Sequence, residues 1–134
     1  MKKLITMALT LAFCAFGVSM MASANTVQLS FTFTNVTDTK SAPQGTKNDM
    51  QQQYCISINS GSTVSTTNVY GGRVKRVSDN ANMSIYDLHT KLKSSAYYNY
   101  SSAVNTSTTY VFNSKKDDSS TSSSNLIITG WLTY

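Results

Sequence analysis

Glutamate is missing from this chain, histidine and proline occur once each, and cysteine occurs twice. Each shortage removes a kind of chemistry. General acid–base catalysis draws on His, Glu or Asp held in pairs. Here His89 has only Asp87 close by in sequence, on the same face if that segment is extended. A Cys55–His89 nucleophile pair is the other arrangement available, and no recognisable motif surrounds either one. One histidine and so few thiols cannot build a nitrogen–sulfur tetrahedron, and the six acidic residues are not spaced as a calcium loop. Gly71-Gly72 is too short to cradle a phosphate. The expectation is a protein that is not an enzyme, with no metal and no cofactor.

Long apolar runs are also scarce. One extends from Leu4 to about Met21, behind the positive start Lys2-Lys3, and ends in Ala22-Ser23-Ala24. A basic start, an apolar stretch and small residues at the cleavage positions are the layout of a secretory signal peptide. A membrane anchor would need a longer run and a basic stop-transfer cluster instead of a cleavage motif. The sequence therefore predicts a signal helix over 1–24, cleaved after Ala24, and a single secreted domain over 25–134. Cys14 would leave with the leader. Cys55 then has no internal disulfide partner, and its simplest role is that of a small buried apolar residue. Stability must come from packing.

Beyond the leader, Ser, Thr, Asn and Tyr abound while Ala and Leu thin out. Tyr, Thr, Val, Ile and Phe suit a pleated, half-buried surface, whereas a helical domain would draw on Ala, Leu, Glu and Lys. From Thr26 to Val36, Val27, Leu29, Phe31 and Phe33 alternate with polar residues, the period-two signature of a strand. Thr37 to Gln51 reads as a loop. Gln53 to Asn59 is a second strand with Tyr54, Ile56 and Ile58 on one face, followed by a turn at Asn59-Ser60-Gly61-Ser62. Thr63 to Tyr70 and Arg73 to Ser78 read as a hairpin reversing at Gly71-Gly72, near a sheet edge because neither face is cleanly apolar.

After a turn at 79–82, Ile85, Leu88 and Leu92 fall at i, i+3, i+7, which predicts a helical turn within Met83–Lys93, with Ser84 as its cap. Thr108 to Asn113 is a strand. Ser114 to Ser124 is a hydrated, flexible tip. Asn125 to Tyr134 carries apolar groups on both sides, as a central strand does, and Gly130 allows a bulge or a close approach. Several short strands between turns predict an all-β fold, a small antiparallel β-sandwich or barrel.

The formal charge of +5 falls to +3 once Lys2 and Lys3 are removed, and the remaining excess lies between Arg73 and Lys93. Such a local field steers a protein toward an anionic surface. The candidate ligand-binding residues are Arg73, Lys75 and Arg76, with Tyr97, Tyr98 and Tyr100 as aromatic partners. Export argues against nucleic acid. The expected partner is an anionic cell-wall polymer, a wall precursor or a membrane surface.

Ser94-Ser95-Ala96-Tyr97-Tyr98-Asn99-Tyr100, followed by strands and an aromatic C-terminal end, resembles the lactococcin 972-like group of small secreted bacteriocins and related β-rich secreted proteins of Gram-positive bacteria. The likeness covers the leader and roughly the last forty residues. It implies a compact β-sandwich acting outside the cell on wall precursors. This chain is longer, carries a Cys and lacks the Gly- and His-rich character of that group, so no functional residue is carried over. The leading expectation is a secreted, non-enzymatic, bacteriocin-like binding protein of the cell envelope. The alternative is a surface-assembly or adhesin-type subunit that pairs through an exposed strand edge.

Overall fold

The computed structural model describes residues 25–90 and 95–134. Residues 1–24, which hold the expected leader and Cys14, and residues 91–94, including Lys91 and Lys93, lie outside them. Nine strands are present: β1 (Thr26–Phe33), β2 (Thr39–Ser41), β3 (Gly45–Thr46), β4 (Gln53–Ile58), β5 (Tyr70–Arg76), β6 (Asp87–His89), β7 (Ala96–Asn99), β8 (Thr109–Lys116) and β9 (Leu126–Thr133). They form two antiparallel sheets packed as a sandwich. One has the order β1-β9-β4-β7; the other has the order β2-β8-β5-β6, with β3 also paired to β8.

Alternation explains the packing. In β1 the buried residues are Leu29, Phe31 and Phe33, and in β9 they are Leu126, Ile128 and Leu132. The register sets Phe31 opposite Ile128 and Phe33 opposite Leu126, so the apolar halves of the two strands share one inner face. Tyr54, Ile56 and Ile58 extend this face from β4. Tyr70, Val74, Tyr110 and Phe112 meet it from the second sheet. The expected strands at β1, β4 and β8 are present, and the final strand is central as expected, with β9 between β1 and β4.

Two glycines mark places where strands need room. A Cβ on Gly130 would collide with the Ser57 carbonyl across the β9–β4 pair. A Cβ on Gly72 would collide with the ring of Phe112. Neither position needs a left-handed backbone. Gly71-Gly72 is therefore not the reversal expected from the sequence. It lies inside β5, which is an interior strand between β8 and β6, and 63–69 is irregular.

The segment expected as a helical turn is irregular over 83–86 and then forms β6; the rest of that expectation falls on residues outside the described ones. Ser84 caps no helix. It accepts a hydrogen bond from the Val74 amide at 2.9 Å and donates to the Ile85 carbonyl at 3.0 Å. The expected loop over 37–51 contains the short strands β2 and β3. The expected flexible tip begins later than Ser114, because Ser114 and Lys116 continue the buried face of β8. Lys116 donates to the carbonyls of Ser122 and Ser124 at 2.8 and 2.7 Å, which ties the following loop down.

Candidate functional site

The most concentrated charge in the described structure stands on the outer face of the five-stranded sheet. Strand alternation puts it there. Tyr70, Gly72 and Val74 of β5 point inward, so Arg73 and Lys75 point out. Tyr110, Phe112, Ser114 and Lys116 of β8 point inward, so Asn113 and Lys115 point out. Register then sets Arg73 beside Asn113, and Thr39 of β2 beside Lys115. Gly71, paired to Lys115, has no side chain, and the ring of Tyr86 lies across the space this leaves.

Thr39, Arg73, Lys75, Asn82, Tyr86 and Lys115 thus border a shallow groove of about 370 Å³. The Arg73 guanidinium carbon is 5.4 Å from the centre of the Tyr86 ring, within cation–π range. Tyr86 donates its hydroxyl to Asp117 at 3.0 Å. Burial, and then that carboxylate, raise the Tyr86 hydroxyl above its ordinary value, so Tyr86 is a neutral phenol. Burial works upward on Asp117 as well, but hydrogen bonds from Ser119 and Tyr86 outweigh it and hold the carboxyl below its usual range. Lys115 is paired with Asp118 at 3.2 Å. Among the described residues Arg73 and Lys75 have no ion-pair partner. They are the two cations of this groove whose charge is left for a ligand.

The six residues expected to form one site occupy several places. Arg73 and Lys75 share the groove. Arg76 turns to the other side of β5 and makes a two-pronged pair with Asp79, at 2.9 Å through Nε and 2.6 Å through Nη2. Its hydrogen bond to the Asp79 carboxyl lowers that group to about 2.

The tyrosines belong to the other sheet. Tyr98 is half-buried, stacks on Tyr54 with ring centres 5.3 Å apart, and meets Nδ1 of His89 at 2.9 Å through its hydroxyl. Burial first, then Asp87, push the Tyr98 hydroxyl up to about 12. Tyr100 is buried at 9% exposure against Tyr54 and Tyr110. Tyr97 alone is well exposed, on the outer face of the four-stranded sheet. Tyr98 and Tyr100 lie between the sheets and Tyr97 on the opposite outer face, so Arg73 and Lys75 cannot grip one small ligand together with any of the three tyrosines.

His89 is buried. It stacks on Tyr70 with ring centres 4.3 Å apart. Asp87 shares its face, as the extended reading requires, and accepts the Tyr54 hydroxyl at 3.0 Å. Both side chains are thus tied into a tyrosine cluster between the sheets. Cys55 is half-buried on the opposite face of β4 from Tyr54, so its thiol points away from this cluster; it does not fill the core as expected. Among the described residues no group of three or more His, Cys, Asp or Glu could hold a metal ion, and no helix is long and apolar enough to cross a membrane.

Asn113, Lys115 and Tyr86 were missed in the sequence. The alternation of Tyr110 and Phe112 already placed Asn113 and Lys115 on the opposite face. Nothing local signalled Tyr86, because its place depends on the missing side chain at Gly71.

No protein-family model matches the chain, and no curated protein matches it. Solved structures that resemble it include two of low sequence identity. The crystal structure of FlhE has a TM-score of 0.46 and 8% identity, over 81% of this chain and 89% of that one. The xylan-binding module CBM86 from the gut symbiont Roseburia intestinalis has a TM-score of 0.42 and 9% identity, over 84% of this chain and 90% of that one.

Proposed function

We propose that this is an exported, non-enzymatic binding protein of the bacterial cell envelope, and that it engages an anionic wall polymer through the outer face of the five-stranded sheet. The carrying observation is the groove itself, where Arg73 and Lys75 stand without ion-pair partners beside Lys115 and the Tyr86 ring. A flat row of cations suits a polyanion that can lie along it. Asn82 and Asn113 add neutral hydrogen-bonding groups for the sugar or polyol oxygens of such a polymer. The leader-like first 24 residues support export, and the mature protein would begin at Asn25. The bacteriocin-like character inferred from the sequence makes growth inhibition of related bacteria one consequence to measure.

A cation beside an anionic surface contributes about 1 kcal/mol. Removing both Arg73 and Lys75 is therefore expected to weaken binding to polyglycerol phosphate by roughly 30-fold at low salt, with a shallower salt dependence. Affinity electrophoresis of the wild-type protein and the Arg73→Ala/Lys75→Ala variant measures this. Equal retardation of the two, or none of the wild type, removes the proposal.

A second reading rests on β1. It is the outermost strand of its sheet, eight residues long, with neither charge nor proline. Such an edge is a template for pairing with another chain. Assembly through it predicts sedimentation that rises with concentration, and a strict monomer at high concentration removes this reading.

A further inference from the structure

Every charged residue that lies within a described strand belongs to the five-stranded sheet. β1, β4, β7 and β9 contain none. Among the described residues the strands of the four-stranded sheet therefore put no charge on its outer face, yet that face is not apolar. Hydroxyl and amide groups cover it, and many are already set by one another. Thr26 and Thr133 hydroxyls meet at 2.9 Å, Ser57 and Ser95 hydroxyls at 2.8 Å, and the Gln53 amide donates to Asn99 at 2.9 Å.

Two large aromatic side chains rise from this polar field. Tyr97 is 68% exposed and Trp131 is 49% exposed. Both pair with β4 from opposite sides, Trp131 opposite Ser57 and Tyr97 opposite Cys55. The rings are therefore anchored two strands apart and one two-residue step out of line, about 12 Å between backbones at ordinary sheet spacings.

We infer that the outer face of the four-stranded sheet is a second binding surface, for an uncharged polysaccharide, with Trp131 and Tyr97 as its two stacking platforms. The C–H faces of pyranose rings pack on indole and phenol rings. Their hydroxyls need the neutral donors and acceptors that surround Trp131 and Tyr97. The separation of the rings suits a chain of a few sugar units lying diagonally across β4. A polyanion would find no cation on the described strands of this face, and neither would an anionic membrane. This surface lies on the opposite outer face from the basic groove, so it holds or fails independently of it.

Trp131 is the only tryptophan in the chain, so intrinsic fluorescence reports on this surface directly. The test titrates the purified protein with soluble neutral β-glucan, mannan and arabinoxylan, with polyglycerol phosphate alongside. At least one neutral polymer is expected to shift Trp131 emission and shield it from acrylamide. Tyr97→Ala and Trp131→Ala are expected to weaken binding by about tenfold or more in affinity electrophoresis, as is usual for aromatic anchors. The Arg73→Ala/Lys75→Ala variant is expected to keep it. Three outcomes overturn the inference: no response to any neutral polymer, a response that disappears with Arg73 and Lys75, or an emission change that follows self-association without polymer. The wild-type titration decides even if an aromatic variant misfolds.

Discussion

A chain ended after Asn125 is expected to show no cooperative unfolding transition. The deletion removes β9, which pairs with β1 along its whole length, from Thr26–Thr133 to Phe33–Leu126, and with β4 on its other side. It also removes Leu126, Ile128, Leu132 and Tyr134, each at most 1% exposed. Burying one such side chain contributes about 1.5–3 kcal/mol, so the four together contribute about 6–12 kcal/mol as an upper figure. A whole domain of this size is stable by only about 5–15 kcal/mol.

The deletion also removes the Tyr134 hydroxyl, which accepts from the Phe112 amide and donates to the Pro43 carbonyl, both at 3.0 Å, linking the two sheets. Thermal melting followed by circular dichroism measures the outcome. A sharp transition near that of the full chain would contradict the central place of β9.

Replacing Lys47 by alanine is expected to cost about 3 kcal/mol, and replacing it by methionine distinctly less. Lys47 has no exposed side-chain surface, and its ammonium is 2.7 Å from Asp49. It also donates to the Gln53 carbonyl at 3.4 Å and stands 5.5 Å from the centre of the Tyr100 ring. Breaking a buried pair from one side costs about 3–5 kcal/mol, because the surviving charge is stranded and a cavity opens. Asp49 is partly exposed, at 20% of its side chain, so water can take up some of its charge, and the lower figure applies. Methionine fills the channel and leaves only the carboxylate to be rehydrated. Urea unfolding of the three proteins gives both differences. Equal stability of the alanine variant and the wild type would show that the pair holds nothing together.

The parts of this fold that were legible in the sequence are those where one strand's own alternation settles the matter. Leu29, Phe31 and Phe33 face inward because the next residues along are polar, and no information from elsewhere in the chain is needed. The same holds for Tyr110 and Phe112. Where a partner distant in sequence decides, local reading fails. Gly71-Gly72 looks like a reversal. Its glycines instead clear space for Tyr86 and Phe112, and neither ring announces this beforehand. Ile85 and Leu88 match a helical spacing by coincidence, and both are exposed.

The candidate site divides along the same line. Arg73 and Lys75 were found because charge is visible without structure. Their separation from Tyr97, Tyr98 and Tyr100 was not visible, because it depends on which sheet each strand joins. The chain alternates between sheets along β3, β4, β5, β7, β8 and β9, so nearness in sequence carries little information about nearness in space. Lys47 lies in the stretch read as a loop and Lys116 in the stretch read as a hydrated tip, and both are buried against groups supplied by other loops and strands.

The separation of charge between the two sheets gives the molecule two unlike outer faces, and the proposed envelope role depends on the charged one. An amide-resolved NMR titration with polyglycerol phosphate tests that dependence most directly. The expected result is a set of shifts confined to Arg73, Lys75, Asn113, Lys115 and their neighbours on β5 and β8, fading as salt is added. Shifts that map to β1, β4 and β9, that persist at high salt, or that never appear would contradict it.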